Sequence, residues 1–276
     1  MSGEETITES TGIPVPWWPR YFLHISYDGT EYHGWQRQPN GHTVQAEFEL
    51  ALSRILRQGK IMTIGCGRTD AGVHARRFFL HFDVPEEIAD PETVVFKINQ
   101  LVAKDVSAHA LIRVHDKAHA RYDAYERAYE YCIHQKPDPF LYRYSWYMSR
   151  KVDLDLMNEA ASILPQYRDF ACFSRTGGGQ KTSICEVRES YWVAEGDRLF
   201  FRIRADRFLR GMVRCIVGTM LDVGRNKMSI EQFREMLETN NRSMAGDSAK
   251  PQGLHLTEVL YPYPFSEFTN RDFLGG

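Results

Sequence analysis

The apolar residues between Tyr21 and Val114 switch between a period of two and a period of about 3.6, and the order of the switches leaves few folds open. Tyr21 to Tyr27 alternates in part and stops at the turn pair Asp28-Gly29, as a strand does. After a loop from Gly34 to Gly41, Thr43 is placed to cap a helix whose apolar positions Val44, Phe48, Ala51, Leu52, Ile55 and Leu56 share one face. Ile61 to Cys66 reads as a short apolar strand, and Phe78, Leu80, Phe82 and Val84 form a second by alternating with Phe79, His81 and Asp83. Asp90-Pro91-Glu92 starts another helix, with Val94, Val95, Ile98, Leu101 and Val102 on its buried face, and Val106 to Val114 returns as a strand. The order β-α-β-β-α-β is that of a split β-α-β unit, which places this half in the α+β class.

The second half repeats the order with longer decorations. Ala128 to His134 and Tyr144 to Met148 are aromatic strands, and Leu154 to Leu164 is a helix. Strands around Ser190 to Val193 and Leu199 to Ile203 precede an amphipathic helix from about Phe208 to Val223. Ser229 starts a helix that reaches Leu237, and Leu254 to Leu260 is the last strand. The expected domains are therefore residues 20–115 and 116–264, between an N-terminal tail over 1–19 and a C-terminal tail over 265–276. No stretch approaches the roughly 18 consecutive apolar residues of a membrane span, and the N-terminus lacks a secretory pattern, so a cytoplasmic protein is expected.

The five cysteines, Cys66, Cys132, Cys172, Cys185 and Cys215, include no Cys-x-x-Cys pair and read as reduced core thiols. A net charge of −2 argues against a polyanionic partner until its distribution is considered. Arg202, Arg204, Arg207, Arg210 and Arg214 face a single nearby acid, Asp206, and Arg54, Arg57, Lys60, Arg68, Arg76 and Arg77 concentrate in the other half. Such blocks suit a phosphate backbone, although solvated faces also carry scattered charge.

The segment Gly67-Arg68-Thr69-Asp70-Ala71-Gly72-Val73-His74-Ala75 interrupts the strand pattern and sets one carboxylate between two glycines. Glycines let a backbone turn tightly and approach a ligand, and an acid on such a loop can act on something docked across a sheet. A plain turn, with Asp70 bonded to its own backbone, satisfies the same local pattern. Likewise Arg214 by itself reads as an exposed helix residue and Tyr129 as a core aromatic.

This nonapeptide resembles the signature of the tRNA pseudouridine synthase A family. Further landmarks follow in order: Tyr27 to Thr30, Gly34 to Gln38, Ala120 to Tyr122, Arg127 to Tyr131, Met212 to Gly218 and Gly253 to Leu256. The resemblance runs from about Tyr21 to Pro262. It implies two ferredoxin-like domains joined into one continuous antiparallel sheet, with helices on one face and a central RNA-binding cleft. It also implies isomerisation of uridine to pseudouridine at positions 38, 39 or 40 of the tRNA anticodon stem-loop, by a homodimer, without cofactor or metal. By the same resemblance Asp70 is the catalytic aspartate and Arg68 helps hold the target nucleotide out of the helix. Tyr129 stacks on the uracil, Arg214 pairs with Asp70, and Leu254 packs in the pocket. Departures are mild and concern the loop Thr176 to Lys181, the N-terminal tail and the pair Arg210-Gly211.

The chemistry suits those residue types. A base that reacts at the sugar must first leave the stack, which calls for an aromatic platform and a cationic channel. The carboxylate must act while ionised, as a nucleophile or as a base, and an adjacent arginine favours that form. A uracil glycosylase would use the same acid but deliver the sugar to water, and a non-catalytic tRNA-binding protein would need only the basic and aromatic surfaces. A zinc deaminase needs His-x-Glu and Pro-Cys-x-x-Cys, and neither string is present. His115 and His119 have no third ligand at suitable spacing, and the triple glycine before Gln180 lacks the Gly-Lys of a phosphate loop.

Overall fold

The structure, a computed structural model, describes residues 18–174 and 182–263. The expected C-terminal tail, nearly all of the expected N-terminal tail and the loop Thr176 to Lys181 lie outside the described residues. The first half runs β1 (Arg20–Tyr27), α1 (Val44–Ile55), β2 (Ile64–Gly65), β3 (His74–Asp83), α2 (Pro91–Leu101) and β4 (Val106–Val114). The second runs β5 (Glu126–His134), β6 (Trp146–Tyr147), α3 (Leu154–Ile163), β7 (Val187–Glu195), β8 (Arg198–Ala205), α4 (Met212–Val223), α5 (Ile230–Thr239) and β9 (Leu254–Leu260).

Local chemistry explains most helix ends. The Asp90 carboxylate accepts the Thr93 N–H ahead of α2, Asp153 accepts two N–H groups of α3, and Ser229 and Gln232 form a reciprocal capping box on α5. Thr43 has the extended backbone of a cap, but its buried hydroxyl makes no capping bond. The expected helix from Phe208 begins four residues later, at Met212. Gly211 there takes a left-handed φ of 72°, which no continuing helix tolerates, and Phe208 to Arg210 become a turn. The strand expected from Ile61 to Cys66 contracts to Ile64–Gly65, whereas β3 reaches back to His74 and takes in the end of the Gly67 to Ala75 segment.

The strands form one sheet in the order β4-β1-β3-β9-β5-β8-β7, with β2 added on β3 and β6 on β5. With the short strand β6 set aside, each half repeats the order last, first, third, second. The expectation of an antiparallel sheet fails at the junction: His74 and Ala75 pair with His255 and Leu256 in parallel, and β5 and β6 are also parallel. The cause is that β3 and β9 both start from the loops around Asp70 and run away in the same direction. On its edge away from β1, β3 pairs with β2 at Leu80 and His81 and with β9 at His74 and Ala75. The sheet is mixed and mostly antiparallel.

Two apolar cores flank this junction, and each borrows from the other half. Val73 packs into the second-half core, while Leu256, Val259 and Tyr261 pack into the first. Tyr129 touches both. All five cysteines are free and buried, as expected of core thiols. Among the described residues no helix is long and apolar enough to cross a membrane.

Burial also traps histidines in their neutral form. His24 stacks on Phe79 at 4.9 Å, His81 accepts the Ala120 N–H at 3.0 Å, and His255 donates to the Tyr144 carbonyl at 2.9 Å. Desolvation lowers each of the three pKa values to about 3. In the unfolded chain these rings titrate near the ordinary value of about 6.5. Their contribution is therefore fully present above that pH and is lost as pH falls toward about 3, where the unfolded chain holds protons that the folded chain excludes. The midpoint of thermal unfolding should fall steadily from about pH 7 to about pH 4 in calorimetry. His24→Phe, which keeps a ring on Phe79, should flatten part of that slope; an unchanged slope would assign the acid loss to other groups.

Candidate active site

The segment from Cys66 to Val73 links β2 to β3 and is seated by the turn after β1. The Tyr27 hydroxyl lies 3.0 Å from the Thr69 hydroxyl, and the Trp35 N–H donates to the Thr69 carbonyl at 3.2 Å. Contact is close enough to demand glycine twice. A Cβ on Gly29 would stand 2.0 Å from the Val73 carbonyl oxygen, and one on Gly34, whose φ is 87°, would stand 2.5 Å from that of Thr69. The stretches Tyr27 to Thr30 and Gly34 to Gln38 thus have a mechanical role: they are the seat of the Asp70 loop. At the loop exit, His74 accepts the Gly29 N–H on Nδ1 at 3.1 Å and donates from Nε2 to the Gln252 carbonyl at 3.2 Å. Burial pushes this imidazole's pKa down, opposed by the Asp28 carboxylate, whose Oδ1 lies 3.1 Å from the same Nδ1.

Arg214 reaches the loop from the first turn of α4. Its Nη1 lies 3.3 Å from Asp70 Oδ2, and the two side chains are 15% and 20% exposed. Its Nε donates to the Ala249 carbonyl at 2.7 Å, and the Ala249 N–H returns to the Arg214 carbonyl at 2.9 Å. Ala249 belongs to a strap along α4, fastened again where the Gly246 N–H meets the Thr219 hydroxyl at 3.0 Å, which leads into β9. Arg214 is therefore a half-buried partner of Asp70, and no surface residue. Within the loop only the Asp70 backbone carbonyl is engaged, by the Val73 N–H at 3.2 Å. Partial burial shields such a pair from the salt screening that weakens exposed ones.

Tyr129 stands on β5 between the two cores, with its ring edge-on to Phe208 at 5.1 Å. Its hydroxyl has no hydrogen-bond partner among the described residues. Burial raises its pKa, and the neighbouring Cys66 and Asp70 reinforce the effect, so the phenol stays protonated. Leu254 is buried in the second-half core and faces Tyr131 in the β5–β9 register, one residue before His255 meets His74. Arg68 is exposed and forms no ion pair among the described residues. The structure thus joins Asp70 to Arg214 and brings Tyr129 near them, sets Leu254 at the same junction, and leaves Arg68 reaching into solvent.

The arginine block does not act as a unit. Arg202 and Arg204 alternate with buried Phe201, Ile203 and Ala205, which turns both toward acids on neighbouring strands. Arg202 pairs with Glu130 at 2.9 Å and Glu195 at 3.2 Å, and Arg204 with Glu126 at 3.1 Å and Glu189 at 3.2 Å. Those two are committed to sheet structure. Arg207 and Arg210 have no carboxylate partner among the described residues. The resemblance placed Arg127 in a landmark but gave it no role; its guanidinium donates to the carbonyls of Ala124 at 2.5 Å, Asp206 at 2.8 Å, Cys66 at 3.1 Å and Arg121 at 2.5 Å. One side chain therefore gathers the stem of the Asp70 loop, the turn before β5 and the turn before α4. The available signal was its place two residues before Tyr129, on the same face of a strand.

The family model described as tRNA pseudouridine synthase matches residues 24–123 and 167–262. The tRNA pseudouridine synthase A of Parabacteroides distasonis is 44% identical over 243 residues, which cover 88% of this chain and 96% of that protein. That of Bacteroides fragilis is 45% identical over 249 residues, covering 90% and 98%. A more distant relative of the same name, from Gloeobacter violaceus, is 38% identical over 246 residues, covering 88% and 80%. The matched segments contain the Asp70 loop with its seat, and Arg214 with its strap: this chain belongs to the tRNA pseudouridine synthase family.

Proposed function

We propose that this chain isomerises uridine to pseudouridine in tRNA, with Asp70 as the catalytic carboxylate. The observation that carries the reading is the contact between Asp70 and Arg214, two side chains 144 residues apart in sequence, at the seam between the halves. The bond from the anomeric carbon to N1 of uracil breaks, and the anomeric carbon joins C5. The proton on C5 leaves to solvent and N1 gains one, so the sum of atoms is unchanged. Arg214 orients Asp70, and Tyr129 offers its ring to the extruded uracil. Arg68 helps hold the target nucleotide out of the helix, and Leu254 packs in the pocket. No metal or cofactor takes part.

The substrate region in this reading is the anticodon stem-loop, at positions 38, 39 or 40, in the cytoplasm. The two repeated strand orders are two ferredoxin-like domains, 20–115 and 116–264, with the RNA cleft at their junction, and two copies of the chain share the tRNA.

Wild-type protein incubated with tRNA transcripts tritiated at C5 of uridine should release tritium while the chain stays intact; an abasic site would indicate a glycosylase instead. Asp70→Asn should abolish release and still bind tRNA, whereas retained release would remove Asp70 from the chemistry. Arg214→Lys should lower the single-turnover rate by about tenfold or more, because one ammonium does not reproduce a fork that serves both Asp70 and the Ala249 carbonyl. Tyr129→Phe keeps the stacking face, so tRNA affinity should hold; wild-type turnover in that variant would exclude its hydroxyl from proton transfer.

A further inference from the structure

We infer that the turn from His119 to Asp123 carries a second base-stacking platform, Tyr122, which receives an unpaired nucleobase of the RNA other than the reacting uridine. The inference rests on the reading of the chain as acting on tRNA. Tyr122 is 76% exposed, although its ring is not loosely placed. One face leans on the His119 ring, with centroids 4.2 Å apart and planes 30° from parallel. His119 Nδ1 accepts the N–H groups of Arg121 at 3.1 Å and Tyr122 at 3.2 Å, so that nitrogen carries no proton. The Asp123 carboxylate accepts the His119 N–H at 2.6 Å and the Asp123 N–H closes the turn on the His119 carbonyl at 3.0 Å. The platform is therefore rigid before any ligand arrives, which lowers the entropy lost on stacking.

Its position points to RNA. The Arg127 guanidinium nitrogen that holds the Arg121 carbonyl also holds the Cys66 carbonyl, two residues before Arg68 and four before Asp70. The turn and the stem of the loop therefore move as one piece. The Arg121 guanidinium lies 5.9 Å from the Tyr122 ring centroid and has no carboxylate partner among the described residues. An exposed aromatic face with an unneutralised cation beside it matches a stacked base and its phosphate. Tyr129, enclosed between the two cores, is a different kind of surface: it receives one extruded base, whereas Tyr122 is open to a neighbour displaced with it.

Tyr122→Ala should weaken tRNA binding roughly tenfold, with the rate at saturating tRNA close to wild type because the Asp70 and Arg214 contact is untouched. Tyr122→Phe should bind as wild type. Tyr122→Trp adds a direct readout, since its fluorescence should be quenched by tRNA beyond the change seen with the five tryptophans of the parent chain. Wild-type affinity in Tyr122→Ala, or no added quenching in Tyr122→Trp while tRNA is bound, overturns the platform. Wild-type protein that binds tRNA without releasing tritium overturns the catalytic reading and leaves the platform standing. Release by the wild type with unaltered binding by Tyr122→Ala does the reverse.

Discussion

The seam between β3 and β9 is two residue pairs long, yet it brings the Asp70 loop to the strap that holds Arg214. His74 opens β3 directly after the Asp70 loop, and Leu254 opens β9 directly after the strap that holds Arg214. Pairing His74 with His255 sets how far the loop stands from the strap, and with it the 3.3 Å between Asp70 and Arg214. So short a ladder contributes few backbone bonds. Side chains reinforce it: the His74 and His255 rings stack at 4.7 Å, His74 bonds to Gln252, and Val73 and Leu256 each pack into the other half's core. Apolar burial on both sides, more than the strand pairing, resists separation of the halves.

Charge is distributed by the same economy. The chain is nearly neutral overall, and Arg188, Arg202 and Arg204 of β7 and β8 are matched with acids of β5. Arg68, Arg121, Arg207 and Arg210 are among the cations left with no acid partner among the described residues, and in the proposed reading they are open to an external anion. A polyanion is then met by a few placed groups instead of a broad positive field, so that geometry, and not total charge, selects the partner.

Much of the fold was legible because periodicity reports burial directly. The first strand, both first-half helices, β4, α3, α5 and β9 lie close to where alternation and capping residues put them. The failures have local causes. Gly211 in a left-handed conformation delayed α4, and Ile61 to Cys66 shrank to two residues because Ile61 and Thr63 spend backbone groups on the α1 side chains Ser53, Gln45 and Glu49. The Gly67 to Ala75 signature was legible as chemistry, but the reason for its upstream companions was not: Gly29 and Gly34 matter through contacts with Val73 and Thr69, some forty residues away. The role of Arg127 was hidden for the same kind of reason, since two of its four carbonyl partners, Cys66 and Asp206, come near it only after folding.

The sequence by itself determined the elements, their order, the buried thiols and the one carboxylate in a glycine-flanked loop, because these follow from local sterics and from which residues avoid water. Tertiary structure alone decided how the arginine named by the resemblance, Arg214, is seated against that carboxylate, which arginines are spent on sheet acids, and that β3 and β9 run parallel. Those outcomes depend on distances between segments that meet only on folding, and such distances are set by packing, of which a linear pattern of residues carries no record.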